Sequence, residues 1–187
     1  MFTGIVQAVG RIVRANPLEI DSGPLELAGV AVGDSICVQG VCLTVTAIRT
    51  RGFTADLSAE TLRVTTGLDR PGAVNLEKSL AAGDKLGGHL VTGHVDGVGE
   101  VISRQGPVVA VRIPQPLAKY VASKGSICVD GVSLTVNRVR QDEFEVNLIP
   151  HTLEVTTLSR LEPGVKVNLE VDLIARYVER MLGINGG

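Results

Sequence analysis

The chain has no tryptophan, two tyrosines and three phenylalanines among its 187 residues. A barrel that grips single-stranded nucleic acid by stacking bases on aromatic rings therefore lacks its material. Charge of one sign is missing too: 18 basic against 20 acidic residues give a net charge of -2, with no basic footprint for nucleic acid or an anionic membrane. No apolar run approaches the roughly 20 residues of a membrane span, and Met1 leads straight into an alternating strand pattern rather than a secretory signal, so a cytoplasmic protein is expected. Cys37, Cys42 and Cys128 are an odd set in a chain this long, which fits free thiols better than a disulfide framework. Nucleotide-loop glycine patterns and the GxSxG nucleophile elbow are absent. No CxxC or HxxxH spacing occurs, and His89 and His94, five apart, would point to opposite faces of a strand, so no metal is expected. The partner that remains is a polar small molecule.

The sequence has enough apolar material for a real core, 44% of it hydrophobic, and it has a repeat. SICVQGVCLTVT at Ser35 to Thr46 returns as SICVDGVSLTVN at Ser126 to Asn137, with 9 of 12 positions identical. At the same offset of 91, Phe53 matches Phe144, and ETLRVTT from Glu60 returns as HTLEVTT from His151. Upstream, Thr3, Gly4, Val6 and Gly10 recur as Thr92, Gly93, Val95 and Gly99; downstream, Asn75-Leu76-Glu77 recurs as Asn168-Leu169-Glu170. Each copy is a string of short Val/Ile/Thr segments broken by Gly, Pro, Asp or Asn, which is an all-β pattern. Closure removes the edges that so small a sheet would expose, so two similar barrels are expected. After Asp172, a plausible N-cap, Leu173, Ile174, Tyr177, Val178, Met181 and Leu182 recur at helical spacing up to Gly183. This apolar stripe either packs on its own barrel or joins helices in an oligomer.

A duplicated module keeps what holds the barrel and varies what does chemistry, so the mismatches are informative. Ile5 corresponds to His94, Cys42 to Ser133, Gln39 to Asp130, Ser58 to Ile149, Glu60 to His151 and Arg63 to Glu154. Cys37 and Cys128 match each other and read as small buried hydrophobes. Cys42 stands where the other copy has a hydroxyl, which suits ligand contact or nucleophilic chemistry. His94 lies in the glycine-dense stretch from Gly87 to Gly99 and is a candidate general base; His89 and His151 read as structural or surface residues. With few aromatics, specificity falls to hydrogen bonds from strand backbone and from Thr44, Thr61, Thr135, Thr152, Ser133 and Lys124.

MFTGIV, QGVCLTV, GGHLVTGHVDG, VDGVSLTV and LIPHTLEVTTL, in this order and in both halves, resemble the riboflavin synthases of the α-chain type over essentially the whole chain. The resemblance implies two tandem six-stranded Greek-key β-barrels related by pseudo-two-fold symmetry, plus a C-terminal α-helix that assembles a homotrimer, with no cofactor or metal. The corresponding division is 1–86 and 87–171 for the barrels and 172–187 for the helix. It implies conversion of two 6,7-dimethyl-8-ribityllumazine molecules into riboflavin and 5-amino-6-ribitylaminouracil by four-carbon transfer, with association with lumazine synthase left open. It also implies two pockets. One, in the first barrel, takes Gly4, Ile5, Val6, Cys42, Leu43, Thr44, Asp56, Leu57, Ser58, Ala59, Glu60 and Thr61. Its counterpart takes Gly93, His94, Val95, Lys124, Ser133, Leu134, Thr135, Ile149, Pro150, His151, Thr152, Leu153 and Glu154. Each active site forms between the first barrel of one subunit and the second of a neighbour. His94 with Thr135 and Ser133 then manages protons, Cys42 and Ser35 help from across the interface, and His151 lies near ligand without a catalytic step. The alternative is a non-catalytic lumazine-binding protein; that pattern lacks the His and Cys found here at His94 and Cys42.

Overall fold

A computed structural model describes residues 1–183 as two closed six-stranded barrels of equal topology. The first contains β1 (Ala8–Ala15), β2 (Leu18–Asp21), β3 (Ser35–Val38), β4 (Val41–Arg49), β5 (Gly52–Ala55) and β6 (Gly72–Lys78), closed in the order β1-β2-β5-β4-β3-β6. The second repeats that order with β7 (Gly97–Gln105), β8 (Val108–Arg112), β9 (Ser126–Val129), β10 (Val132–Arg140), β11 (Glu143–Asn147) and β12 (Lys166–Val171). All pairs are antiparallel, and register shifts in β1, β4, β7 and β10 bend the sheets so that they close.

Alternation sets which side chains fill each barrel. Along β4, Val41, Leu43 and Val45 are buried while Thr44 and Thr46 are exposed and Cys42 is half-buried; β10 repeats this with Val132, Leu134 and Val136 inside. Phe53 and Phe144 fill equivalent sites and are fully buried, each contributing about 2 to 3 kcal/mol of apolar burial. A third, smaller core lies between the barrels and joins Phe2, Val91, Cys37 and Cys128, with Cys42 against it. Both buried thiols are free, and burial pushes them well above the usual thiol range.

The seam carries matched polar contacts. Phe2 and Val91 exchange backbone hydrogen bonds of 2.8 and 3.1 Å. The Asn75 side chain donates to the Asp130 carbonyl and accepts from the Thr157 N–H, both at 2.8 Å. Asn168 does the same in reverse, donating to the Gln39 carbonyl at 2.9 Å and accepting from the Thr66 N–H at 2.7 Å. The β3–β4 and β9–β10 hairpins meet back to back here. Their turn residues Gln39-Gly40 and Asp130-Gly131 all have positive φ, as a two-residue type I′ hairpin requires.

One feature departs from the all-strand reading of the repeats. Residues of the ETLRVTT and HTLEVTT segments form short helices α1 (Ala59–Val64) and α2 (Pro150–Val155). Ser58 caps α1 by accepting the Thr61 N–H at 2.9 Å, and Pro150 sits where a first-turn proline is favoured. The C-terminal helix α3 (Leu173–Leu182) forms as the spacing predicts, capped by Asp172 and ended by Gly183 in the left-handed conformation. Packing of its stripe on its own barrel is not what occurs. The polar face makes that contact instead, with Glu179 bonded to Lys119 and Tyr120 and Arg176 to Asp96. Ile174, Tyr177, Val178, Met181 and Leu182 stay exposed, Met181 at 79%. Among the described residues no helix is long and apolar enough to cross a membrane.

Candidate active site

Each TG segment crosses the seam. Gly4 belongs to the first copy, yet its carbonyl accepts the Ser133 N–H of the second barrel at 2.8 Å. Gly93 belongs to the second copy, and its carbonyl accepts the Cys42 N–H of the first barrel, also at 2.8 Å. Both glycines have positive φ, and a Cβ on Gly93 would stand 2.6 Å from Cys42 Cβ, so only glycine permits the approach. Beyond the crossing, Val6 packs on the core of the second barrel and Val95 on the core of the first.

The expected pocket membership is therefore corrected. Gly4, Ile5 and Val6 accompany Ser133, Leu134 and Thr135, while Gly93, His94 and Val95 accompany Cys42, Leu43 and Thr44. His94 is likewise not grouped with Ser133 and Thr135 within one chain; it is exposed on the segment bonded to Cys42. Cys42 thus stands beside the His94 segment of its own chain, where the expectation had it helping from across the interface. The physical cause is the Phe2–Val91 exchange, which passes each leading segment to the partner barrel.

The rest of each mouth follows from the strands. Cys42 and Thr44 lie on the outer face of β4, and Ser35 opposes Thr44 in register on β3. Ser133 and Thr135 occupy the same face of β10. Leu43 and Leu134 point the other way and are core residues, so only their backbone faces the mouth. Asp56, Ser58, Ala59 and Glu60 are exposed beside half-buried Leu57 and Thr61, and Leu57 packs on the first core. A cavity of about 370 Å³ opens between the β1–β2 turn at Ala15 to Leu18 and the side chains of Asp56, Leu57, Leu62 and Asp69, outside the Cys42 and Thr44 face. Glu60 is held by Arg63 at 2.6 Å, and this hydrogen-bonded guanidinium lowers its carboxyl from the usual range. In the second barrel Ile149, Pro150, His151 and Glu154 are exposed, Thr152 and Leu153 half-buried, and Leu153 packs on the core. Lys124, exposed with positive φ, donates its N–H to the Val136 carbonyl at 2.7 Å, beside Thr135.

His89 is the residue that comparing the copies missed. It is half-buried rather than on the surface, and its Nδ1 lies 2.7 Å from Ser133 Oγ. Burial lowers its pKa, against the opposing charge of Asp172, which favours the uncharged ring beside the serine hydroxyl. Its Nε2 is buried and makes no hydrogen bond among the described residues. The signal existed: Gly87-Gly88-His89 precedes the second TG motif, whereas the first copy begins at Met1 and has no counterpart to compare. Neither His89 nor His94 lies on a strand, so the opposite-faces argument does not apply; the two instead serve different mouths.

The chain is similar to known proteins over nearly its whole length. A model of the lumazine binding domain family matches residues 3–79 and again 92–172. A protein of Mycobacterium bovis named riboflavin synthase is 48% identical, covering 97% of this chain and 98% of its own length. A protein of the same name from Photobacterium phosphoreum is 45% identical over 97% of this chain and 89% of the relative. Among solved structures, LumP complexed with 6,7-dimethyl-8-(1'-D-ribityl) lumazine superposes with a TM-score of 0.76 at 28% identity, over 91% of this chain and 99% of that one. LumP complexed with riboflavin gives 0.78 at 29% over the same shares.

Proposed function

The chain belongs to the riboflavin synthase family, with a lumazine binding domain in each half, and from that premise we propose that it acts on 6,7-dimethyl-8-ribityllumazine. One molecule of this compound passes a four-carbon unit to a second, so that the acceptor becomes riboflavin and the donor 5-amino-6-ribitylaminouracil. Donor and acceptor are identical, so two similar mouths with unequal side chains suit the reaction. Holding both ring systems together replaces a bimolecular encounter with positioning.

The observation that carries this reading is the crossed seam. It gives the two mouths different chemistry on a common scaffold, Cys42, Thr44 and His94 in one and Ser133, Thr135 and the His89 ring in the other. Loss of a proton from the 7-methyl group leaves a carbanion spread over the heterocycle, for which a weak base is sufficient. His94 takes that role, with Thr44 and Thr135 hydroxyls and strand N–H groups orienting the rings. The His89 ring, 2.7 Å from the Ser133 oxygen, holds that hydroxyl in place towards the other substrate's ring. The side chains at positions 56–61 and 149–154, with Lys124, hold the polar heterocycle and ribityl tails.

The division 1–86, 87–171 and 172–187 assigns a mouth to each barrel and assembly to the helix, whose residues 184–187 lie outside the described residues. The exposed stripe of α3 supports self-association, and membership of the family supports a homotrimer in which the first mouth of one subunit faces the second mouth of its neighbour. The protein works in the cytoplasm. A binding-only role is less well supported: the relatives sharing 45 to 48% of the sequence carry the enzyme's name, whereas LumP shares 28%. His94→Ala is the test. Retained substrate binding with turnover lowered about 100-fold supports the proton role, and near-normal turnover removes it.

A further inference from the structure

Glu170 is buried, 3% exposed, and three donors converge on it. Thr92 gives its N–H and its hydroxyl to Oε1 at 2.6 and 2.7 Å, and Gly93 gives its N–H to Oε2 at 2.8 Å. A carboxylate accepts at both oxygens and donates at neither, which matches this set; an amide would set its NH₂ against one of the donors. On the far side of His94, the Asp96 side chain accepts the Val171 N–H and the Asp96 N–H donates to the Leu169 carbonyl, both at 2.8 Å. Between these two anchors on β12 stand only His94 and Val95, and Val95 is packed on the first barrel.

We propose that Glu170 is the positioning residue for His94: a carboxylate of the second barrel that fixes the proton acceptor of the first barrel's mouth. The inference rests on the reading of His94 given above. Glu77 supplies an internal control, because it makes the same three bonds to Thr3 and Gly4, at 2.7, 2.7 and 3.0 Å, but its clamp carries Ile5, which cannot titrate. Burial raises both carboxyls and the Thr and Gly donors pull them back, while the N-terminal charge also lowers Glu77 and the Asp96 charge raises Glu170. They differ in what they hold.

The experiment uses the full chain and follows riboflavin formation from 6,7-dimethyl-8-ribityllumazine for Glu170→Gln, Glu77→Gln and His94→Ala, with each glutamine variant also built on His94→Ala. Misplacing a reacting group by about 1 Å costs on the order of 100-fold, so Glu170→Gln is expected to lower kcat by about 10- to 100-fold with KM changed less than about threefold. If Glu170 acts through His94, the same substitution costs less than about twofold once His94 is alanine, whereas Glu77→Gln costs the same factor in both backgrounds. An equal loss from Glu170→Gln in both backgrounds, or a raised KM with kcat unchanged, would make Glu170 merely structural and overturn the proposal. Should Glu170→Gln not fold, Thr92→Val removes a single donor and is read by the same comparison. Near-normal turnover of His94→Ala alone defeats the reading of His94 and is a separate outcome.

Discussion

Asp130 gives the sharpest energetic expectation. It sits at the seam, 4% exposed, where burial pushes its carboxyl up to about 7 against hydrogen bonds from the Asn168 backbone N–H and the Gln39 side chain. The ordinary aspartate value is 3.8, so the folded state holds its proton over a span where the unfolded chain has lost it. The sign follows: the stabilising contribution is complete below about pH 4 and is lost as pH rises through about 7, with a slope of about 1.4 kcal/mol per pH unit and a total of about 4 kcal/mol. The first barrel shows that no charge is needed, because Gln39 accepts the Asn75 N–H at 2.9 Å just as Asp130 accepts the Asn168 N–H at 2.8 Å. Asp130→Asn keeps an acceptor and cannot ionise. In urea denaturation at fixed protomer concentration, variant and wild type should coincide near pH 4 and diverge upward, the variant ahead by up to about 4 kcal/mol at pH 8. Glu77, Glu170 and His89 are common to both proteins and cancel in the difference. Parallel curves, or a wild type that gains on the variant as pH rises, would refute the reasoning.

Two further substitutions probe the mouth and the helix. Gly93→Ala places a methyl group 2.6 Å from Cys42 Cβ in a residue with φ of +78°, so it should cost about 2 to 4 kcal/mol and abolish riboflavin formation, as thermal melting and absorbance would record. Replacing Ile174 and Met181 by serine should leave the barrels folded but shift sedimentation towards the monomer, with loss of turnover; an unchanged oligomer would mean that the α3 stripe is not the contact.

The barrels were legible because the repeat preserves their determinants: the SICV strands, the two-residue turns and the Phe53 and Phe144 core positions recur nearly unchanged. The short helices were not, since Thr and Val in ETLRVTT and HTLEVTT favour strands, and the Ser58 cap in α1 and the first-turn Pro150 in α2 favour helix instead. Which mouth each TG segment serves was also illegible. A repeat shows that Gly4 and Gly93 are equivalent, but exchange between the barrels depends on contacts such as Phe2 with Val91 that no local pattern encodes. His89 escaped for a related reason, having no partner position in the first copy.

Catalysis by this chain is tested most directly when the pure protein is incubated with 6,7-dimethyl-8-ribityllumazine and nothing else, and products are followed by absorbance and chromatography. Riboflavin and 5-amino-6-ribitylaminouracil are expected in equal amounts; substrate that binds yet persists unchanged would contradict the enzyme reading and leave a lumazine-binding protein without catalysis.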